Sequence, residues 1–162
     1  MDHTELPSDP KLDRIDLSII RELQTDGRIT LKELADKVNL SKTPCHARMR
    51  RLVEQGVIRR FTAQIDYERL GLGHVAFVQV KLSDTREGAL RAFNKAVQSL
   101  PEIEQCHMMA SSFDYLLKVR TRSIRDYRRV LGEEIAALPN VSNTSTFVSM
   151  ETVKESESTL PG

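Results

Sequence analysis

The chain has little cysteine. Cys45 and Cys106 stand far apart and form no C-x-x-C pair, which argues against a disulfide framework or a cysteine zinc site and suits a reducing compartment. Long apolar runs are missing as well. No window approaches the roughly 18 apolar residues of a membrane span, and the first ten residues are polar and acidic, without the apolar centre of a secretory signal. A cytoplasmic protein away from any membrane is expected. Charge of one sign is not in excess either: 24 Lys and Arg against 23 Asp and Glu leave a net +1, so bulk electrostatics announce no nucleic-acid partner. The residues of an active site are also wanting. There is no coherent metal set, no nucleophile–base pair and no glycine-rich phosphate loop. Cys106 and His107 are neighbours on an expected strand, point to opposite faces and cannot hold one ion together. Neither a metal nor a cofactor is expected, and enzyme activity is disfavoured.

What is present is local. Between residues 42 and 60 the basic side chains are Lys42, Arg48, Arg50, Arg51, Arg59 and Arg60, against the single acid Glu54. The segment reads as a helix that Ser41 or Thr43 caps, with Pro44 in the first turn, where no backbone N–H is lost. At 100° per residue Cys45, Met49, Leu52 and Val53 share an apolar side. His46, Ala47, Arg50 and Arg51 lie opposite, and Ala47 is small enough to let the helix approach base edges. Gly56 ends it.

Two helices precede this one. Asp13 opens the first, with Ile15, Ile19, Ile20 and Leu23 inward and Gly27 expected as a left-handed stop. Thr30-Leu31-Lys32-Glu33 is a capping box and starts a short partner helix of about three turns. The tight Asn39-Leu40 turn then leads into the basic helix. Two helices joined this way are what a helix-turn-helix needs to lay its second member in the major groove. On this reading Arg50 and Arg51 contact guanine or phosphate, Lys42 meets phosphate, and Ser41 and Thr43 reach backbone oxygens near the helix start. His46 reads a base or sits over a phosphate. Arg48, nearer the buried edge, is expected to pair with Asp16 or another acid. Residues 57–65 alternate loosely and are expected to form a strand leading out of the domain.

After Leu70-Gly71-Leu72-Gly73 the pattern changes. Residues 74–82 read as a strand with Ala76, Val78, Val80 and Leu82 on one face. Residues 86–100 read as a helix burying Leu90, Phe93, Val97 and Leu100. Two strands follow, at 103–109 and 115–120, then a helix at 124–138 with Ile124, Tyr127, Leu131, Ile135 and Leu138 on one stripe, and a last strand at 141–153. The punctuation Leu100-Pro101-Glu102-Ile103 returns as Leu138-Pro139-Asn140-Val141, each proline ending a helix before a strand. The fold class is therefore α+β: a winged helix-turn-helix followed by a ferredoxin-like βαββαβ unit. The boundaries read as a loose arm (1–11), a helix-turn-helix domain (12–66), a linker (67–73) and a ferredoxin-like domain (74–162). The sheet's second face, with Val75, Phe77, Leu116 and Met108, needs cover, which suits a homodimer contact. The Met108-Met109 pair is read as adaptable packing.

Several segments, in this order, resemble the Lrp/AsnC family of feast/famine regulators. They are Leu12-Asp13-Arg14-Ile15-Asp16, the run from 40 to 51, Leu52-x-x-x-Gly56-Val57-Ile58, Phe113-Asp114-Tyr115-Leu116-Leu117, and the ending from Val153-Lys154 to Leu160-Pro161. Ile103-Glu104-Gln105-Cys106-His107, followed by residues 113–118, looks most like members that control leucine or proline metabolism. The resemblance implies a transcription regulator that binds double-stranded DNA and an amino-acid effector. It also implies dimers that assemble into octamers or higher forms. It places the effector between dimers, against Ala110, Ser111, Ser112, Phe113 and Asp114, with Thr144 and Thr146 opposite.

Asp114 has two readings, as a ligand for the effector's amine or as a turn cap. The family usually carries glycine just before Phe113, where this chain has Ser111 and Ser112. Glycine would permit a positive φ and a close approach of the ligand's carboxylate. A ligand-independent, architectural DNA-binding protein is therefore the alternative function. An enzyme on the ferredoxin-like fold is a more distant one.

Overall fold

The structure is a computed structural model in which residues 11–155 are described. The expected arm (1–11), apart from Lys11, and the Leu160-Pro161 ending lie outside those residues. The chain divides into two compact units, one of the described residues up to Gln64 and one spanning Ile65–Lys154.

The first unit holds three helices: α1 (Arg14–Thr25), α2 (Leu31–Lys37) and α3 (Lys42–Glu54). Asp13 caps α1 in a reciprocal box: the Asp16 N–H donates to Asp13 Oδ1 at 2.8 Å and the Asp13 N–H to Asp16 Oδ2 at 3.1 Å. Thr30 and Glu33 do the same for α2. The latter helix has seven residues, which is two turns rather than the three expected. Asn39 takes a left-handed φ of 54°, and the Leu40 N–H closes onto the Ala35 carbonyl at 2.9 Å. The core is Ile19, Leu34, Ala35, Val38, Cys45 and Leu52.

Three local expectations fail here. Gly27 is not left-handed, because Asp26 ends α1 in an extended conformation and takes the Arg28 N–H on its own side chain at 2.8 Å. Val53 remains 43% exposed and lies outside the core. Residues 57–65 form no strand, since nothing among the described residues pairs with them, and a strand without a partner satisfies none of its backbone groups.

The second unit is a four-stranded antiparallel sheet of order β2-β3-β1-β4, with β1 His74–Leu82, β2 Ile103–Met108, β3 Tyr115–Thr121 and β4 Val141–Val148. Helices α4 (Glu87–Val97) and α5 (Ile124–Arg129) supply the crossovers, which makes the expected βαββαβ unit. Alternation along β1 sends Ala76, Val78, Val80 and Leu82 into the core beside Tyr115, Leu117 and Val119 of β3. Phe93 of α4 is fully buried, its ring centroid 4.4 Å from that of Tyr115.

The expected helix at 124–138 changes character midway. After Arg129 the chain makes a π-helical turn (Val130–Ile135). The Ala136 N–H reaches back five residues to the Leu131 carbonyl at 2.9 Å. Tyr127, Ile135 and Leu138 of the expected stripe are buried and Leu131 packs against them, with Val130 added at the wide turn, while Ile124, ahead of that turn, is 53% exposed. The last strand stops at Val148, five residues short of the expectation.

The uncovered face of the sheet also differs in part. Phe77 pairs across strands with Phe147, and both are exposed, with Leu116 half-buried nearby. Val75 is already buried. It pairs with Arg120, whose guanidinium lies 4.4 Å from the Tyr67 ring and 3.2 Å from the Leu72 carbonyl, so the turn at 66–72 occupies that end. A register shift between Ile103 and Gln105 moves Met108 opposite Tyr115, on the helix-covered side. Phe93→Ala should cost about 3–5 kcal/mol of stability in this unit; denaturant unfolding followed by circular dichroism measures it, and a change below 1 kcal/mol would contradict the assigned core.

Candidate functional site

Helix α3 buries Cys45 and Leu52 and half-buries Met49. The opposite side carries Lys42, Thr43, His46, Ala47 and Arg50, all exposed, with Ser41 exposed at the N-cap. Ser41 makes no side-chain capping bond, so its hydroxyl and the first-turn N–H groups stand at an open, partly positive helix end. Arg50 donates through Nε to Glu54 Oε1 at 2.6 Å, but both side chains are more than half exposed. Such a pair is weak in water and yields to a phosphate or a base edge.

Arg48 and Arg51 behave differently, because both turn back to α1. Arg48 Nη1 lies 2.6 Å from Asp13 Oδ2 and 2.9 Å from Asp16 Oδ1, the pairing expected for it. Arg51 Nη2 lies 2.5 Å from Asp16 Oδ2, and its side chain is 43% exposed. Arg51 is thus an internal brace as well as a surface cation. Asp13's carboxyl is held below the ordinary 3.8, first by the Asp16 backbone N–H and then by Arg48.

In the second unit, residues 110–114 form the turn between β2 and β3. Ser111 and Ser112 are exposed and take no positive φ, so this backbone does without the conformation that glycine would permit. Phe113 is half-buried. Asp114 locks the turn to β1: its Oδ2 accepts the Leu82 N–H at 2.7 Å and its own N–H donates to the Val80 carbonyl at 2.9 Å. That geometry is a turn cap's. Lys81 Nζ donates to the Ser112 carbonyl at 3.1 Å.

Thr144 and Thr146 do share one face, opposite Val80 and Val78. Thr146 is engaged below the sheet by the Tyr127 hydroxyl at 2.5 Å, and burial pushes that phenol's pKa up. β1 lies between β4 and the strand that the 110–114 turn leads into, so the backbones of β4 and β3 are two strand spacings, roughly 10 Å, apart within one protomer. No group of three metal-ligating side chains occurs among the described residues, and none of their helices is long and apolar enough to cross a membrane.

The sequence matches two family models, a winged helix-turn-helix DNA-binding domain over residues 12–59 and an Lrp/AsnC ligand binding domain over residues 75–159. The chain belongs to the Lrp/AsnC family. It is 58% identical over 144 residues to a proline dehydrogenase transcriptional activator of Rhizobium radiobacter, covering 89% of this chain and 92% of that one. It is 46% identical to the leucine-responsive regulatory protein of Klebsiella pneumoniae, covering 90% and 88%. A feast or famine regulatory protein of M. tuberculosis complexed with L-methionine superposes with a TM-score of 0.84 at 32% identity, covering 93% and 99%. Membership in this family makes the protein a DNA-binding transcription regulator with a ligand-binding domain, not an enzyme.

Sequence reasoning missed the Arg51–Asp16 pair, although the spacing of Arg48 and Arg51 on one helix edge is a signal for a shared acid. It also missed Lys81 at the expected effector turn of this Lrp/AsnC chain, for which the sequence carried no local signal. The Asp13 shift has a definite sign. A depressed carboxyl stabilises the fold above its unfolded value of 3.8, and that contribution is lost as pH falls through its lower folded value. A carbon-detected NMR titration should give a midpoint below 3.8 that rises in Arg48→Ala; a midpoint unchanged by that substitution would remove Arg48 as a cause.

Proposed function

We propose that this regulator reads duplex DNA with the outward side of α3 and is switched by a free amino acid bound at the 110–114 turn where dimers meet. The observation that carries the DNA half is the division of α3. Cys45 and Leu52 are sealed in the core while Ser41, Lys42, Thr43, His46, Ala47 and Arg50 all face solvent. Two protomers would place their α3 helices in successive major grooves, about 10 bp apart or a multiple of that. Residues 12–66 form the DNA-binding domain on this reading and 74–162 the effector domain, with the protein acting in the cytoplasm where its DNA is.

Support for the effector comes from chemistry and from relatives. An amino acid is a zwitterion. Lys81 and Asp114 bring opposite charges to the ends of one turn, and Ser111 and Ser112 add hydroxyls. Relatives carry proline dehydrogenase activation or leucine response in their names, and a structural neighbour holds methionine. Proline and leucine are the first candidates. The turn and Thr144 flank β1 on its two sides, and on this reading a bound amino acid draws on both where protomers meet. Calorimetry against the amino acids tests this, and no heat with any of them would favour the architectural, ligand-independent reading.

The open sheet face supports a homodimer that assembles further, since Phe77 and Phe147 form an exposed aromatic pair. Phe147→Arg should convert the assembly to monomers in sedimentation velocity; an unchanged distribution would remove this face from the interface. Arg50→Ala should weaken binding to a selected operator roughly 10- to 100-fold with the fold intact. Equal affinity in a gel-shift titration would take Arg50 out of the reading set.

A further inference from the structure

Asp16 is 1% exposed, and three donors reach its two oxygens. Arg48 Nη1 meets Oδ1 at 2.9 Å, while Arg51 Nη2 at 2.5 Å and the Asp13 N–H at 3.1 Å meet Oδ2. A buried carboxylate is tolerable only when paired in this way. The arrangement still has an internal cost: Arg51 Nε is buried with no hydrogen-bond partner. A half-exposed arginine free to choose its rotamer would satisfy that donor in water. Arg51 is therefore held where Asp16 puts it, one turn beyond Ala47 and beside Arg50 on the exposed flank of α3.

We propose that Asp16 is a positioning residue for DNA recognition, its buried carboxylate fixing the Arg51 guanidinium so that the exposed half faces the duplex. The proposal rests on the reading of α3 as the DNA-facing helix. It has a sign opposite to that of simple electrostatics. The side chains of Asp13, Asp16, Arg48 and Arg51 sum to zero charge, so neutralising one acid leaves the cluster at +1 beside a polyanion. By Coulomb attraction alone, Asp16→Asn should tighten binding to any duplex. By positioning, the same substitution frees Arg51 to many rotamers and disorders a contact that specific binding uses, while general attraction to phosphate persists. Asp13 supplies the control. Its side chain is half exposed and also binds Arg48, it carries the same charge at nearly the same place, and asparagine is as good an N-cap as aspartate.

The test uses the full chain and a duplex selected by the wild-type protein from random oligonucleotides, with an unselected duplex for comparison. For Asp16→Asn we expect specific affinity to fall about tenfold or more while affinity for the unselected duplex holds or rises. Asp13→Asn should keep its specific affinity. Adding Arg51→Gln to Asp16→Asn should then cost little more, because the two substitutions break one link. Circular dichroism at the binding temperature establishes that each variant is folded. Should Asp16→Asn unfold, Arg51→Gln alone carries the test, since it leaves Asp16 bonded to Arg48, and the same loss of selectivity is expected.

Specific binding by Asp16→Asn at or above the wild-type level would overturn the proposal. So would an equal loss in Asp13→Asn, a fully additive double variant, or an Arg51→Gln protein that still discriminates. A wild-type protein that prefers no duplex would overturn the α3 reading itself and this proposal with it; that result is distinguishable because it appears before any substitution is made.

Discussion

Helix α3 must do two things that pull against each other. It has to be anchored, and it has to leave most of its circumference bare. Of its thirteen residues, Cys45 and Leu52 are fully buried. Burial of two side chains is strong but non-directional; it holds a helix down without fixing its rotation about its own axis. Directional ties do that. At the front, the left-handed Asn39 and the Leu40–Ala35 bond set the entry of the chain. Along the flank, Arg48 and Arg51 reach Asp16 at the capped start of α1. The exposed side is aimed by contacts that lie beside it, not beneath it.

The second unit solves a related problem with one strand. β1 is paired on both sides, and its strict alternation commits every second residue to the core. The other residues face away from the helices, among them Phe77, which meets Phe147. The end of the same strand holds the 110–114 turn, through the Leu82 N–H and the Lys81 side chain. Core, open apolar face and the placement of the 110–114 turn are thus three consequences of one register. A shift of a single residue would exchange the first two. It would also move the Leu82 N–H away from Asp114.

Much of this was legible in the chain because it is local. The Asp13 cap, the Thr30–Glu33 box, the β1 alternation and the repeated Leu-Pro punctuation each report interactions within a few residues. The failures are equally physical. Residues 57–65 have strand-like alternation, but a strand exists only with a partner, which propensity cannot supply. Of the stripe expected at 124–138, Ile124 at the helix start stays outside the core, while the wide turn at 130–135 brings in Val130, which a constant period of 3.6 does not place there. One register irregularity in β2 sent Met108 to the other face. On α3 the exposed set was legible from the 100° spacing, whereas the Arg51–Asp16 tie joins residues 35 apart. At the 110–114 turn, the capping reading of Asp114 was legible, but its partner, the Leu82 N–H, depends on strand pairing and was not.

The near-neutral total charge can now be reconciled with a nucleic-acid partner. Screening confines the reach of an exposed charge to about 8–10 Å at physiological salt, so the sum over the whole molecule matters less than the few cations near the phosphates. On α3 those cations are partly answered internally: Arg48 and Arg51 by Asp13 and Asp16, Arg50 by Glu54. Unselective attraction to the polyanion is weakened as a result. For a regulator facing a large excess of irrelevant duplex, the ratio of specific to unspecific affinity decides occupancy. On the proposed reading of α3, acids behind the helix temper attraction to every duplex alike, and any gain in that ratio comes from the bonds by which they hold Arg48 and Arg51 in place.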